Sequence, residues 1–136
     1  MNYFKALEKL LDCSSAPYSG FNVASIVVTE DGNIFKGVNV ESAAYPTTIC
    51  AERNAIFSAI AQGIRTGEIK EVHILARNAK KDLVAAFPCG GCRQVIAEQS
   101  LNKATVYIYS SKDDVTARSI SELLPDAFFL YLDGSP

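Results

Sequence analysis

The spacing of apolar and polar positions divides this chain into alternating helical and extended segments. Tyr3, Phe4, Leu7, Leu10 and Leu11 recur at helical intervals, which predicts an amphipathic helix running to about Cys13. Ser14 to Gly20 holds Pro17 and Gly20 and reads as a loop. Val23 to Thr29 and Ile34 to Val40 are apolar and β-branched, and Asp31-Gly32 lies between them, a dipeptide suited to a tight hairpin turn. Ile49, Ala55, Ile56, Ala59 and Ile60 predict a mostly buried helix over Thr48 to Gln62, with Gly63 as its stop. A third strand is expected at Val72 to Ala76, a helix at Cys89 to Gln99 and a fourth strand at Ala104 to Tyr109. A short helix from Ser119 to Leu124 stops at Pro125, and Ala127 to Leu132 reads as a fifth strand.

Helices and strands that alternate in this order predict helices on both faces of a central sheet. The opening hairpin makes that sheet mixed. The expectation is a three-layer α/β/α domain with a mixed five-stranded sheet, formed by residues 1–136 as one unit.

Composition narrows the partners. The formal net charge is −2, which argues against a polynucleotide ligand, because neutralised phosphates supply most of the affinity of such complexes. The N-terminus mixes Asn2, Lys5, Glu8 and Lys9 with apolar residues, so it lacks the apolar run of a signal peptide. No apolar stretch is long enough to suggest a membrane span. A cytoplasmic setting follows, in which Cys13, Cys50, Cys89 and Cys92 stay reduced and are read as metal ligands or core thiols.

The strongest local signal is Pro88-Cys89-Gly90-Gly91-Cys92. Two thiolates two residues apart grip one tetrahedral metal, and a helix start beside them favours negative sulfur. A lone Cys-x-x-Cys also suits a redox dithiol or a structural zinc knuckle. Cys50, in Cys50-Ala51-Glu52-Arg53, is the third candidate ligand, although a lone cysteine is often a small core residue. Together the two segments meet the pattern of zinc-dependent deaminases: a ligand, one residue, a glutamate, then Pro-Cys-x-x-Cys. Three protein ligands leave a tetrahedral zinc one open position for water, whose pKa the ion lowers from about 15.7 to about 7. Three thiolates weaken that effect, and Arg53 beside the ligand turn offsets part of their charge. Glu52 is close to the metal without being needed as a ligand, which suits it to proton transfer.

The chain resembles the small cytidine deaminases along nearly its whole length. The likeness lies in residues 16–23 (APYSGFNV), 37–45 (GVNVESAAY), 49–53 (ICAER), 88–94 (PCGGCRQ) and 122–128 (ELLPDAF). It implies one zinc per chain on Cys50, Cys89 and Cys92, and Glu52 as the catalytic proton carrier. It further implies that Phe21 stacks on the cytosine ring, that Asn39 and Glu41 bind the sugar hydroxyls, and that the backbone at Ala51 reads the base. The implied substrate is a free pyrimidine nucleoside, with no nucleic acid or membrane partner. The implied assembly is a homotetramer with shared sites, in which Ala43, Tyr45 and Phe128 serve a neighbour's pocket. The implied reaction is deamination of cytidine and deoxycytidine in pyrimidine salvage. A blasticidin-S-deaminase-like enzyme is the nearest alternative, and a non-catalytic zinc module completed by Cys13 is the alternative of another class. One departure stands out: the family usually has Val-Gly-Ala where this chain has Val23-Ala24-Ser25. The apolar tail Phe129-Leu130-Tyr131-Leu132 is expected to cover a subunit surface or extend the sheet. His73 and the Tyr107–Tyr109 pair lie in strands away from every motif and are read as packing residues.

Overall fold

A computed structural model of the chain describes residues 1–130. Helix α1 (Phe4–Leu11) comes first, followed by the antiparallel pair β1 (Asn22–Thr29) and β2 (Ile34–Val38). The expected turn joins them, with Gly32 in the left-handed region at φ +83°. Next come α2 (Ala51–Ala61), β3 (Ile69–Arg77), the two-residue β4 (Leu83–Val84) and α3 (Gly90–Gln99). The described part closes with β5 (Thr105–Tyr109), β6 (Val115–Ser119) and α4 (Ile120–Leu123).

The sheet order is β2-β1-β3-β5-β6, with β4 paired to the end of β3. Only the β3–β5 pair is parallel, so the sheet is mixed, as the hairpin implied. Its two faces bury different sets of side chains. Ala24, Ile26, Val28, Leu75 and Tyr109 meet Leu7 and Leu11 of α1. Val27, Val72, Ile74, Val106 and Ile108 meet Ala55, Ile56 and Ile96 of α2 and α3. Helices therefore cover both faces, and the three-layer expectation holds.

Three differences from the sequence expectation have physical causes. The sheet has six strands among the described residues rather than five. Two of them were not expected: the two-residue β4 pairs with the end of β3, and Val115–Ser119 adds an edge strand against β5, where exposed Ala117 and Arg118 break the apolar run. Residues 127–130 of the expected fifth strand form no ladder, and Tyr131 and Leu132 lie outside the described residues. Ala127 and Phe129 still pack on the core while Phe128 and Leu130 face solvent, so the alternation was real but no strand edge receives it. The helix expected from Thr48 begins at Ala51, after a 3-10 turn over Tyr45–Thr47. Ile49 pairs instead with Val40 by two backbone hydrogen bonds of 3.0 Å, which ends β2 early and holds the approach to α2 in an extended conformation.

Gly37 sets the distance between α2 and the sheet. A Cβ there would lie 2.3 Å from the Ala55 nitrogen and 2.5 Å from the Ala51 carbonyl oxygen. The bare backbone lets the first turns of α2 press directly on β2.

Candidate metal centre and active site

Cys50 and Cys89 occupy equivalent positions on two helices. Each is the N-cap, with extended backbone (φ −76°, ψ 153° and φ −67°, ψ 168°), and neither side chain caps its own helix. Both sulfurs are thus free to face the gap between α2 and α3, beside unpaired N–H groups that favour negative charge. Cys92, one turn into α3, is fully buried. The three Sγ atoms all lie within 4.8 Å of one another, and Cys50 and Cys89 are 3.9 Å apart. Zinc–sulfur bonds of about 2.3 Å in a tetrahedron require sulfurs about 3.8 Å apart, so the cluster fits a zinc ion closely.

The electrostatics agree with the geometry. A hydrogen bond from the Cys92 thiol, opposed by burial and aided by Arg53, brings the Cys50 thiol down to about 5. The same hydrogen bond, with burial, pushes Cys92 up. A divalent ion at the centre of the three sulfurs would favour their deprotonation. Arg53 donates from Nη2 to the Cys50 sulfur at 3.3 Å, while its buried Nε has no partner. Cys13 is exposed and stands apart, so the four-cysteine structural site has no support among the described residues.

Glu52 lies beside the cluster in the first turn of α2 and is only 5% exposed. Burial raises its carboxyl pKa, as suits a group that must hold a proton. Glu52, Cys50 and Cys89 share the wall of a cavity of about 230 Å³ with Phe21, Asn39 and Ala51. Glu41 sits where this cavity meets a second one of about 380 Å³, lined by Tyr18, Ser19 and Tyr45. Its carboxylate accepts backbone N–H bonds from Tyr18 and Ser19, both at 3.0 Å, and the Ser19 hydroxyl. The Ser19 hydroxyl and these amides hold its pKa below the usual carboxylate value.

Seven sequence-selected residues thus line one cavity wall or its junction: Phe21, Asn39, Glu41, Cys50, Ala51, Glu52 and Cys89. Tyr45 lines the neighbouring cavity and is 74% exposed. Ala43 and Phe128 line neither. Phe128 is 68% exposed, and its carbonyl accepts from Gln94 Nε2 at 2.7 Å. Phe87 lines the zinc-side cavity and was not singled out from sequence. The available signal was an aromatic residue next to the Pro88-Cys89 motif.

Residues 2–108 match the family model described as the cytidine and deoxycytidylate deaminase zinc-binding region. The chain belongs to this family. It is 38% identical over 121 residues to a cytidine deaminase from Sporosarcina psychrophila, covering 89% of this chain and 85% of that one. A cytidine deaminase from Mycoplasma genitalium is 32% identical over 124 residues, 91% of each chain. Among solved structures, a cytidine deaminase from Burkholderia pseudomallei superposes with a TM-score of 0.83 at 39% identity, covering 92% of this chain and 95% of that one. Membership makes the thiol cluster a zinc site rather than a redox dithiol: the family is defined by that region, and three sulfurs converge here where a dithiol needs two.

Proposed function

We propose that this chain is a zinc-dependent cytidine deaminase, which hydrolyses cytidine and deoxycytidine to uridine and deoxyuridine and releases ammonia. The carrying observation is a cluster of three thiols, two of which, Cys50 and Cys89, share one cavity wall with the buried Glu52 carboxyl and the Phe21 ring. Cys50, Cys89 and Cys92 would hold one zinc ion per chain, which when bound supplies an acidified water for attack on the ring carbon that bears the amine.

The remaining chemistry belongs to the protein. Glu52 accepts a proton at its carboxylate and returns it to the ring nitrogen, then carries the next one to the departing amine. Its burial keeps bulk water from competing for those protons. Phe21 packs against the face of the base, and the backbone at Ala51 reads its edge. Asn39 and Glu41 hold the sugar, which aligns the ring beside the metal. Arg53 draws charge from the Cys50 sulfur, so that three thiolates do not quench the acidity of the bound water.

The cavities also select the ligand. Among their described lining residues there is no lysine or arginine, and Glu41 places a carboxylate at their junction. A phosphate monoester or a polynucleotide would meet no counter-charge there, so a neutral nucleoside fits best. No helix among the described residues is long and apolar enough to cross a membrane, and a zinc site of free thiols suits a reducing cytoplasm.

Residues 1–136 are read as one domain that works as a homotetramer with shared sites. Tyr45, Phe57, Phe87 and Phe128 are exposed aromatic side chains that a neighbouring subunit would cover. Ala43, Tyr45 and Phe128 would then complete a neighbour's pocket. The direct test is the ultraviolet absorbance of cytidine incubated with the zinc-loaded protein. A shift to the uridine spectrum supports the reading, and an unchanged spectrum overturns it.

A further inference from the structure

We infer that Ser14, in the loop before β1, is a positioning residue that fixes the Asn39 amide and so helps set how strongly the site demands a hydroxylated sugar. This rests on the deaminase reading and on the sugar contact proposed for Asn39. Ser14 lies outside every stretch that carries the family resemblance, and only its place in the fold points to it.

Asn39 is nearly buried, at 8% exposure, and lines the zinc-side cavity. Its Oδ1 accepts from the Val23 N–H at 2.8 Å and from the Ser14 hydroxyl at 2.5 Å. Those two donors use both lone pairs of the amide oxygen. Its Nδ2 donates one hydrogen to the Phe21 carbonyl at 2.8 Å. One N–H is left over, and it is the only polar function Asn39 has to offer a ligand. A reversed amide would set nitrogen against the Val23 N–H and oxygen against the Phe21 carbonyl, so the orientation is unambiguous.

Ser14 is itself held in place. Its Oγ accepts from Asn22 Nδ2 at 2.9 Å, and its backbone N–H bonds Leu11 at the end of α1. The chain Asn22→Ser14→Asn39 therefore ties the end of α1 to the amide. The neighbouring Ser15 accepts the Glu41 N–H at 2.8 Å and donates to the Asn39 carbonyl at 3.1 Å. The loop thus braces a donor, Asn39, and an acceptor, Glu41. A sugar hydroxyl has both an oxygen that accepts and a proton to give, and it satisfies the pair together.

Without the Ser14 hydroxyl, the amide oxygen keeps only the Val23 bond and the free N–H loses its fixed aim. The loss should appear only with a ligand that uses that N–H. The experiment compares cytidine with 2′,3′-dideoxycytidine on the zinc-loaded protein, using the parent, Ser14→Ala and Ser14→Thr. For Ser14→Ala, kcat/KM on cytidine should fall about three- to tenfold, the size of one net hydrogen bond. The value on dideoxycytidine should stay within about twofold of the parent. Ser14→Thr keeps the hydroxyl and should restore the preference. A general distortion of the site would lower both substrates equally, and that result, or an unchanged preference in Ser14→Ala, overturns the inference. A parent with no activity on cytidine would instead sink the deaminase reading, and this inference with it.

Discussion

The two faces of the sheet each bury a cluster of ionisable side chains, and the clusters differ in how completely they are satisfied. On the α1 face, His73 is 2% exposed. Its Nδ1 pairs with the Tyr109 hydroxyl and its Nε2 with Glu71, both at 2.8 Å. Its ring stacks on Tyr107 with an interplanar angle of 9° and meets Tyr3 edge-on. Tyr109 also accepts the Tyr3 N–H, which pins the start of α1 to the sheet. Both ring nitrogens are bonded, and Tyr107 and Tyr3 pack against the ring. On the α2–α3 face, three cysteine sulfurs converge within 4.8 Å of one another, Glu52 is buried with a raised pKa, and the Arg53 Nε has no partner. A saturated cluster holds a fold together, while an unsaturated one waits for a ligand. Burial alone would have ranked His73 with Cys92 and Glu52, and it is the accounting of hydrogen bonds that separates them.

The largest expected effect lies on the unsaturated side. Glu52→Ala should fold, retain one zinc per chain and lose about 10²–10⁴ in turnover, the result expected if Glu52 moves protons and holds no metal. Metal analysis beside the cytidine assay checks both halves. Zinc lost along with activity would make Glu52 a ligand and dissolve the distinction between the roles.

Arg53→Gln comes next. The guanidinium is the one cationic partner seen on the Cys50 sulfur. Its loss should cost about ten- to hundredfold in zinc affinity or turnover, the usual range for a residue that supports a metal ligand. Chelator competition and steady-state kinetics separate the two. If neither changes, charge neutralisation at the sulfurs has no functional weight.

The saturated side should respond in stability instead. His73→Phe keeps the ring but strips Tyr109 and Glu71 of their partner, at a cost of about 2 kcal/mol by urea unfolding, with zinc content and turnover unchanged. Burial, partly opposed by Glu71, lowers the His73 pKa. The native state therefore binds fewer protons than the unfolded chain once pH drops below about 6.5. The parent's advantage over His73→Phe should be full above that pH and shrink as pH falls through it toward the lower folded value. A gap that widens in acid would show that the charged imidazole, not the neutral one, is the native form.

The contrast also explains what could be read from sequence. Cys89 and Cys92 are legible because a helix start brings residues three apart together, and Cys50-Ala51-Glu52 repeats the device on a second helix. The layers followed from the alternating order of helices and strands, and β1 buries Ala24 and Ile26 on one face and Val27 on the other. Saturation is not local. The partners of His73 lie at Glu71 and Tyr109, and parallel pairing of β3 with β5 brings Tyr109 within reach. The Ser14–Asn39 bond spans 25 positions and depends on the loop folding back beside β2. The strand Val115–Ser119 escaped because an edge strand needs few apolar residues, and the expected strand at Ala127 misled because a packed extended tail alternates just as a strand does.

Ser25 tests the rule at its weakest point. Its hydroxyl is fully buried and has no partner, although it lines neither cavity described above. It sits in β1 between Gly37 and Ile74, on the strand face that carries Val23 and Val27 toward α2. It is also a position at which the resemblance to cytidine deaminases leads one to expect alanine. An unpaired buried hydroxyl costs about 1–3 kcal/mol, and alanine removes it at the expense of little packing volume. Ser25→Ala should therefore raise stability by about 1 kcal/mol, read as a higher urea midpoint with an unchanged slope, and leave cytidine turnover as it was. That outcome makes Ser25 a tolerated defect and shows that an unsatisfied group signals function only beside the thiol cluster, where Arg53 sits, or on a cavity wall. Reduced turnover in a stabilised variant would point the other way: the hydroxyl would then belong to the site, acting through Ile74 or α2, and lack of a partner would by itself mark functional residues in this fold.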